Sequence, residues 1–183
     1  MVHRSPVFYN KGIPYITNQS APDVGEESLG ITTVSHGGCG PIAIYNALLS
    51  MGNHTTLNEI LAYFNSDPLN TLTALGLLGS LPADIAKYFT DHGYTVVLTA
   101  DRDAINVYSK VADANIMFFV FPSMLGPIEA IGAHFIEYHR SGNGYVGCNI
   151  SSSTKTASFS YPTNYIYSDD TIYAIGIFVF KDA

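Results

Sequence analysis

Residues 35–52 read SHGGCGPIAIYNALLSMG and bring one cysteine to the start of a predicted helix. Apolar side chains recur after the cysteine at helical spacing, at Ile42, Tyr45, Leu48 and Leu49. Pro41 suits a first helical turn, where its missing N–H costs nothing, and Gly52 is a natural stop. The pattern predicts a flexible Gly-rich lead-in, then a helix with Cys39 at or just before its N-terminus.

The position of Cys39 allows two interpretations. At a helix N-terminus, free backbone N–H groups and the helix dipole stabilise a thiolate, so the thiol pKa falls and the sulfur becomes a nucleophile. The same N–H groups can hold the oxyanion that forms when sulfur attacks a carbonyl. The alternative is a small buried hydrophobe that opens a core helix. The surrounding sequence GGCGP favours the nucleophile.

Length and composition limit the class of protein. The 183 residues fit one domain, which we assign to residues 35–183, preceded by an N-terminal arm at residues 1–34. With 47% hydrophobic residues the chain can bury a sizeable core. A net charge of -7 and only eight Lys and Arg residues argue against a nucleic-acid partner, since phosphate binding needs clustered cations.

The two cysteines do not make a disulfide framework. A single bridge between Cys39 and Cys148 is the alternative, and it would remove the reactive thiol. The N-terminus lacks the apolar run of a signal peptide, and no stretch reaches the roughly 18 apolar residues of a membrane span. We therefore expect no membrane span and a cytoplasmic protein by default, although a chain trimmed of a leader would look the same.

Predicted helices come first in the chain and predicted strands follow. Beyond the cysteine helix, a capping box at 56–59 starts a second helix, Pro82 opens a third, and a fourth covers about 102–112. The stretch 69–78 is ambiguous, and 122–132 is predicted as a loop. The predicted strands cover 94–99, 116–121, 133–139, 145–150 and 172–180. Helices followed by an antiparallel sheet predict an α+β fold.

Two polar residues of the predicted sheet are candidate partners of Cys39. His134 opens one strand, and Asn149 lies near the end of the next. A hairpin centred on Asn143-Gly144 places Asn149 beside His134, where its side-chain oxygen can accept from one ring nitrogen while the other faces the thiol. Cys39, His134 and Asn149 would then be nucleophile, general acid/base and orienting residue for acyl transfer through a thioester.

The other histidines, cysteine and carboxylates predict no further site. His36, just before the cysteine, either assists the thiol or is a solvated loop residue. A zinc site needs more ligands than the sequence places, so we predict no metal and no cofactor. Cys148 alternates with Asn149 and is predicted to be a core residue. Glu137 is predicted to be solvated, and His139 to be an exposed strand-end residue.

Three short motifs carry a family resemblance. They are GGCGP at 37–41 before a helix, AHFI at 133–136 opening a strand, and VGCN at 146–149 on the next strand. Together they resemble the papain-like superfamily, most nearly the bacterial C39-like peptidases, where comparable motifs carry the catalytic triad. The resemblance spans residues 37–150. It implies a papain-like α+β fold, with the helices packed on a C-terminal antiparallel sheet, and thiol peptidase or amidase activity.

Two positions depart from the family's pattern. Family members usually carry a Gln a few residues before the cysteine to complete the oxyanion hole, where this chain has Ser35 and His36. The candidate replacements are therefore Ser35, His36, and Gln19 reaching in from the arm. A Pro commonly follows the orienting residue in the family, where this chain has Ile150.

The sequence supports two candidate functions. The first is a cysteine peptidase, or a related amidase or acyltransferase, that cleaves a peptide or amide bond with Cys39, His134 and Asn149. The second is a catalytically inactive papain-like domain that binds a peptide or protein partner in its cleft. The missing upstream Gln favours the second function, whereas the intact set of Cys, His and Asn favours the first.

Overall fold

The protein consists of helices and antiparallel strands. Its computed structural model describes residues 9–10, 13–66, 80–125, 128–151, 154–167 and 171–182. The helices are α1 (Val34–Gly37), α2 (Cys39–Ser50), α3 (Leu57–Ser66), α4 (Pro82–Asp91), α5 (Arg102–Val111) and α6 (Pro162–Ile166). The strands are β1 (Tyr9–Asn10), β2 (Ile13–Pro14), β3 (Ser28–Leu29), β4 (Thr32–Thr33), β5 (Tyr94–Thr99), β6 (Ala114–Leu125), β7 (Ile128–Ser141), β8 (Gly144–Cys148), β9 (Thr156–Phe159) and β10 (Tyr173–Lys181). These elements confirm the predicted α+β class. None of the described helices is long and apolar enough to cross a membrane.

Six of the described strands form one antiparallel sheet, in the order β5-β10-β6-β7-β8-β9. The predicted loop at 122–132 is wrong, because the described residues there continue the long strands β6 and β7. Pro122 suggested a break, yet it pairs with Ile131 as a strand residue. Gly132 makes room for the ring of Phe121 across the pair, since a Cβ at 132 would lie 2.6 Å from that ring.

The hairpin between β7 and β8 turns one residue earlier than predicted. Ser141 pairs with Gly144, so the turn residues are Gly142 and Asn143 rather than Asn143 and Gly144. Gly142 has φ +58°, a conformation that glycine adopts without strain and that a two-residue hairpin turn requires. In this register β8 ends at Cys148.

Helix α2 lies at the centre of the main core and is buried on nearly every side. Nine of its twelve residues are buried, and it packs against α3, β6 and β7. Ile42 and Ile44 are 0% exposed. Burying one such side chain stabilises the fold by about 1.5–3 kcal/mol, so the packing of α2 fixes its cysteine-bearing end relative to the sheet.

The described part of the predicted arm packs on α2. The buried side chain of Asn46 donates to the Ile16 carbonyl at 2.8 Å and accepts from the Ile16 N–H at 2.9 Å. Leu29 and Val34 are 0% exposed and belong to the main core. These contacts hold the segment from 13 to 34 against the helix and so determine where its polar residues lie.

Local signals in the sequence located several helix boundaries. Thr56 and Glu59 form the predicted capping box, with the Thr56 N–H donating to Glu59 Oε2 at 2.7 Å. Asp101 caps α5 by accepting from the Ala104 N–H at 2.7 Å. The short elements α1, β9 and α6 were not predicted, and the ambiguous stretch at 69–78 lies outside the described residues.

Candidate active site

Cys39 is the first residue of α2, as predicted, but its lead-in is not a flexible loop. Helix α1 ends at Gly37, and Gly38 joins the two helices. A Cβ on Gly38 would lie 2.5 Å from a carbonyl oxygen of α1, and a Cβ on Gly40 would lie 2.8 Å from the Ser80 side chain. The glycines therefore let backbone pack tightly around Cys39.

The surroundings of Cys39 keep its thiol protonated. The sulfur accepts hydrogen bonds from the backbone N–H groups of Phe135, Gly40 and Cys39 itself, which stabilise the thiolate. Burial acts in the other direction and is the larger effect, so the pKa of the Cys39 thiol is raised above its ordinary value. The predicted lowering of the thiol pKa is wrong for the resting protein, because desolvation outweighs the helix N-terminus.

His134 lies on β7 directly before Phe135, whose N–H bonds the Cys39 sulfur. Its Nε2 lies 2.5 Å from the backbone carbonyl oxygen of Asn149. A carbonyl can only accept, so Nε2 carries the hydrogen and Nδ1 of the neutral ring keeps a free lone pair. Burial lowers the pKa of His134 more than the bond to Asn149 raises it. The resting imidazole is therefore a neutral base.

Asn149 contacts His134 through its main chain, whereas the sequence predicted its side chain. It follows the end of β8 with φ 60°, the one positive φ of a non-glycine residue in the described part of the chain. Asn tolerates this left-handed conformation better than most residues. Its side chain is bonded to Gln19 instead: Oδ1 accepts from the Gln19 backbone N–H at 3.0 Å, and Nδ2 donates to Gln19 Oε1 at 3.2 Å.

Gln19 joins the histidine side of the site to the cysteine side. Besides its two bonds with Asn149, it donates from Nε2 to the Ser35 carbonyl at 3.0 Å. Ser35 belongs to α1 and precedes Cys39 by four residues. An amide nitrogen carries two hydrogens, so the bond to Ser35 leaves one for a further acceptor. Of the three predicted oxyanion candidates, Gln19 is the one linked to both sides.

Ser35 and His36 form a polar group with Thr33. Thr33 Oγ1 lies 2.9 Å from Ser35 Oγ and 3.1 Å from His36 Nδ1, and the Ser35 hydroxyl lies 3.2 Å from the same ring nitrogen. Ser35 lines a cleft beside His134, whereas His36 is exposed and does not line it. The Ser35 hydroxyl is thus engaged within its own helix and the preceding strand.

A cleft of about 820 Å³ lies beside His134. Its wall includes three aromatic side chains, Phe119, Phe121 and Tyr165, and none of the described residues that line it carries a formal charge with His134 neutral. The His134 ring meets Phe119 edge to face, with 5.8 Å between ring centroids. This described part of the wall, uncharged and partly aromatic, suits an uncharged side chain of a ligand.

Four of the six predicted site residues line this cleft: Gln19, Ser35, His134 and Asn149. Cys39 is not among its lining residues and is connected to them through the N–H of Phe135. The contacts of the thiol do not include the imidazole of His134. Catalytic hydrogen bonds are often long in resting enzymes and tighten when substrate binds.

The sequence patterns did not predict a second group of polar side chains, Glu137, His139 and Cys148, which lies away from this cleft. Glu137, predicted to be solvated, is 0% exposed, and His139, predicted to be exposed, is partly buried beside it. Cys148 is a buried core residue, as predicted, and both cysteines are free. The burial of Glu137 could have been predicted from strand alternation, because Glu137 lies on the same face of β7 as the buried Phe135.

A comparison of the whole chain with solved structures finds overall similarity to the peptidase domain of Streptococcus ComA, described as a bi-functional ABC transporter involved in a quorum sensing pathway. The two share 14% sequence identity with a TM-score of 0.48, over 79% of this chain and 91% of that one. No protein-family model and no curated protein matches the chain.

The raised thiol pKa predicts slow alkylation of Cys39 at neutral pH. In a Cys148→Ala chain, Cys39 is the single thiol, and we expect its rate with iodoacetamide to rise through a midpoint above the ordinary thiol value of about 8.5. Intact mass across pH measures this rate, with Cys39→Ala as the blank. Rapid alkylation that persists below about pH 7 would show a resting thiolate–imidazolium pair and contradict the prediction.

Proposed function

We propose that this protein is a cysteine peptidase or a closely related amidase of the papain-like, C39-like type. One observation carries the proposal: the Cys39 sulfur contacts the backbone of Phe135, the residue that follows His134 on β7. The N–H of Phe135 bonds the sulfur, and the Asn149 carbonyl fixes the hydrogen of His134 on Nε2. Acyl transfer needs a thiol within reach of a neutral imidazole with a free Nδ1, and we propose that bound substrate brings the two groups together.

The chemistry begins from the neutral pair. When substrate fills the cleft, the imidazole and thiol come within hydrogen-bond reach, and the S–H proton of Cys39 passes to Nδ1 of His134 as sulfur bonds to the carbonyl carbon. The carbonyl electron pair moves to oxygen. When the tetrahedral intermediate collapses, the C–N bond breaks and the leaving amine takes the proton from His134.

Hydrolysis of the thioester completes the cycle. Nδ1 of His134 takes a proton from water as the water oxygen bonds to the acyl carbon. The C–S bond then breaks, and the sulfur of Cys39 takes the proton back. Asn149 keeps the ring in the required tautomer through its carbonyl, and its side chain positions Gln19.

The oxyanion is stabilised by two groups in this proposal. One is the set of backbone N–H groups at the start of α2, which already bond the sulfur of Cys39. The other is the Gln19 amide, held between Asn149 and Ser35. Gln19 comes from the arm and takes the place of the Gln that family members carry closer to the cysteine.

A peptide-directed electrophile tests the proposal. We expect a peptide aldehyde or vinyl sulfone with uncharged side chains to form one adduct on Cys39 at neutral pH, faster than iodoacetamide at equal concentration. The reason is that the peptide brings His134 and the thiol together, which a small alkylating agent does not. Intact mass with peptide mapping measures both reactions.

Matched variants identify the nucleophile. Cys39→Ala should form no adduct, and Cys148→Ala should react like the wild type, because Cys148 is buried away from the cleft. Peptide binding with equal affinity in wild type and Cys39→Ala, but without an adduct or turnover in the wild type, would contradict an enzyme and identify the non-catalytic peptide-binding domain.

A further inference from the structure

Three side chains with metal-binding atoms meet on one face of the β7–β8 hairpin. Glu137 pairs with Cys148 across the two strands, and His139 lies two residues along β7 on the same face. Their ligand atoms all lie within 4.8 Å of one another. We call Glu137, His139 and Cys148 the hairpin cluster. Its residues do not line the cleft beside His134.

Among its described contacts, the buried Glu137 carboxylate has one partner that can carry a positive charge, the His139 imidazole when it is protonated. Glu137 is 0% exposed, and the contacts that the structure describes for its carboxylate come from a hydroxyl, an imidazole and a thiol, not from Lys or Arg. His139 Nδ1 lies 3.1 Å from Oε1 and 3.2 Å from Oε2. A buried carboxylate is costly unless a cation pairs with it.

We infer that the hairpin cluster binds a zinc ion. Carboxylate oxygen, imidazole nitrogen and thiolate sulfur are the three zinc ligands of proteins, at about 2.0–2.3 Å from the metal. Ligand atoms around a tetrahedral ion of that size are roughly 3.5 Å apart. The cluster therefore needs only small side-chain shifts to hold the ion with Glu137, His139 and Cys148, and water completes the tetrahedron.

Neighbouring groups already orient the ligands. The Ser50 hydroxyl, at the end of α2, donates to Glu137 Oε1 at 2.6 Å. Tyr15 stacks on the His139 ring with 4.7 Å between centroids, and its hydroxyl lies 3.3 Å from Ser50 Oγ. Outer groups of this kind fix ligand orientation in metal sites. The ion would thus tie the hairpin, α2 and the arm together.

Zinc binding with loss of the Cys148 thiol proton gives a site whose charges balance. Zn²⁺ joins the Glu137 carboxylate, displaces the proton of the Cys148 thiol, and takes His139 as a neutral imidazole. One dipositive ion with one carboxylate and one thiolate leaves a buried site of zero net charge. In this neutral site the ion offsets the charge of the buried Glu137 carboxylate without a proton on His139, and binding to the folded chain alone stabilises the fold.

Cobalt and zinc binding to an untagged Cys39→Ala chain test the inference, since Cys148 is then the single thiol. We expect one equivalent of Co²⁺ to produce a thiolate-to-cobalt charge-transfer band and tetrahedral visible bands, which Zn²⁺ then displaces. At about a hundredfold excess over its Kd, Zn²⁺ should raise the melting temperature by about 5–10 °C. Neither measurement depends on enzymatic activity, so a failed peptidase assay does not affect it.

Variants locate the ion. Cys148→Ser should remove the charge-transfer band, His139→Gln should weaken binding at least about a hundredfold, and Ser50→Ala should weaken it about tenfold. His54→Gln, an exposed histidine, should bind like the parent. Because His139 is partly exposed, we expect its variant to fold even if Cys148→Ser does not. No charge-transfer band with the parent chain, or a band unchanged in His139→Gln, would overturn the inference.

Discussion

Replacing His134 by Ala is expected to lower kcat for a peptide or amide substrate by about 10²–10⁴-fold, the usual contribution of a general acid–base. Without the imidazole nothing takes the S–H proton of Cys39, whose raised pKa keeps it protonated. The leaving amine also loses its acid. Cys39→Ala should remove turnover altogether. Initial rates measured on a fluorogenic peptide with uncharged residues check both variants.

The pH profile separates this chemical role from a structural one. Burial lowers the pKa of His134, so protonation of the base stops catalysis only in more acidic solution than an ordinary imidazole would require, below about pH 6.5. We expect kcat/KM of the wild type to rise with pH through that lowered value and then level. Residual activity of His134→Ala should lack this acid limb.

A matched control guards against misfolding. His54→Ala removes an exposed histidine beyond the end of α2 and should keep the wild-type rate. His134→Ala leaves the Asn149 carbonyl without its donor, which costs about 1–3 kcal/mol of unfolding free energy. Its melting temperature should therefore fall only modestly. A full loss of rate in His54→Ala, or wild-type rate in His134→Ala, would refute the assignment.

The cysteine end of the site was predictable because its signals are local. Pro41 and Gly52 bound one helix, and the apolar spacing between them is helical, so Cys39 had to lie at its start. The direction of its thiol pKa was not predictable. That direction depends on how deeply the sheet buries the sulfur, and burial by residues almost a hundred positions away leaves no local pattern.

The sheet side was predicted in outline and missed in detail. A hairpin between β7 and β8 was expected, but its turn lies one residue earlier than predicted, and β8 ends at Cys148, before Asn149. Asn149 then takes a positive φ, which turns its carbonyl instead of its side chain toward His134. The earlier turn moves each cross-strand partner by two residues and therefore keeps the faces of the strands. The side-chain acceptor was lost because β8 ends before Asn149 and Asn149 has a positive φ, and strand propensities fix neither feature.

Replacing Gln19 by Ala is expected to lower kcat by about 10²–10³-fold with little change in KM, the usual loss for one oxyanion donor. The Gln19 amide is fixed by Asn149 on one side and by the Ser35 carbonyl, four residues before Cys39, on the other. A donor held in advance stabilises charge that develops only in the transition state. Its loss should therefore affect kcat rather than substrate binding.

Gln19→Glu is the sharper variant, because it separates donation to the oxyanion from the contacts that hold Asn149. Its backbone N–H still donates to Asn149 Oδ1, and its side chain still accepts from Asn149 Nδ2, as both groups do now. It loses the hydrogens of Nε2, and with them the bond to the Ser35 carbonyl, and it adds a negative charge beside a developing oxyanion. If Gln19 donates to the oxyanion, Gln19→Glu loses at least as much kcat as Gln19→Ala. If Gln19 serves only to hold Asn149, Gln19→Glu keeps a higher rate than Gln19→Ala, and the oxyanion would then rest on the N–H groups of α2 alone.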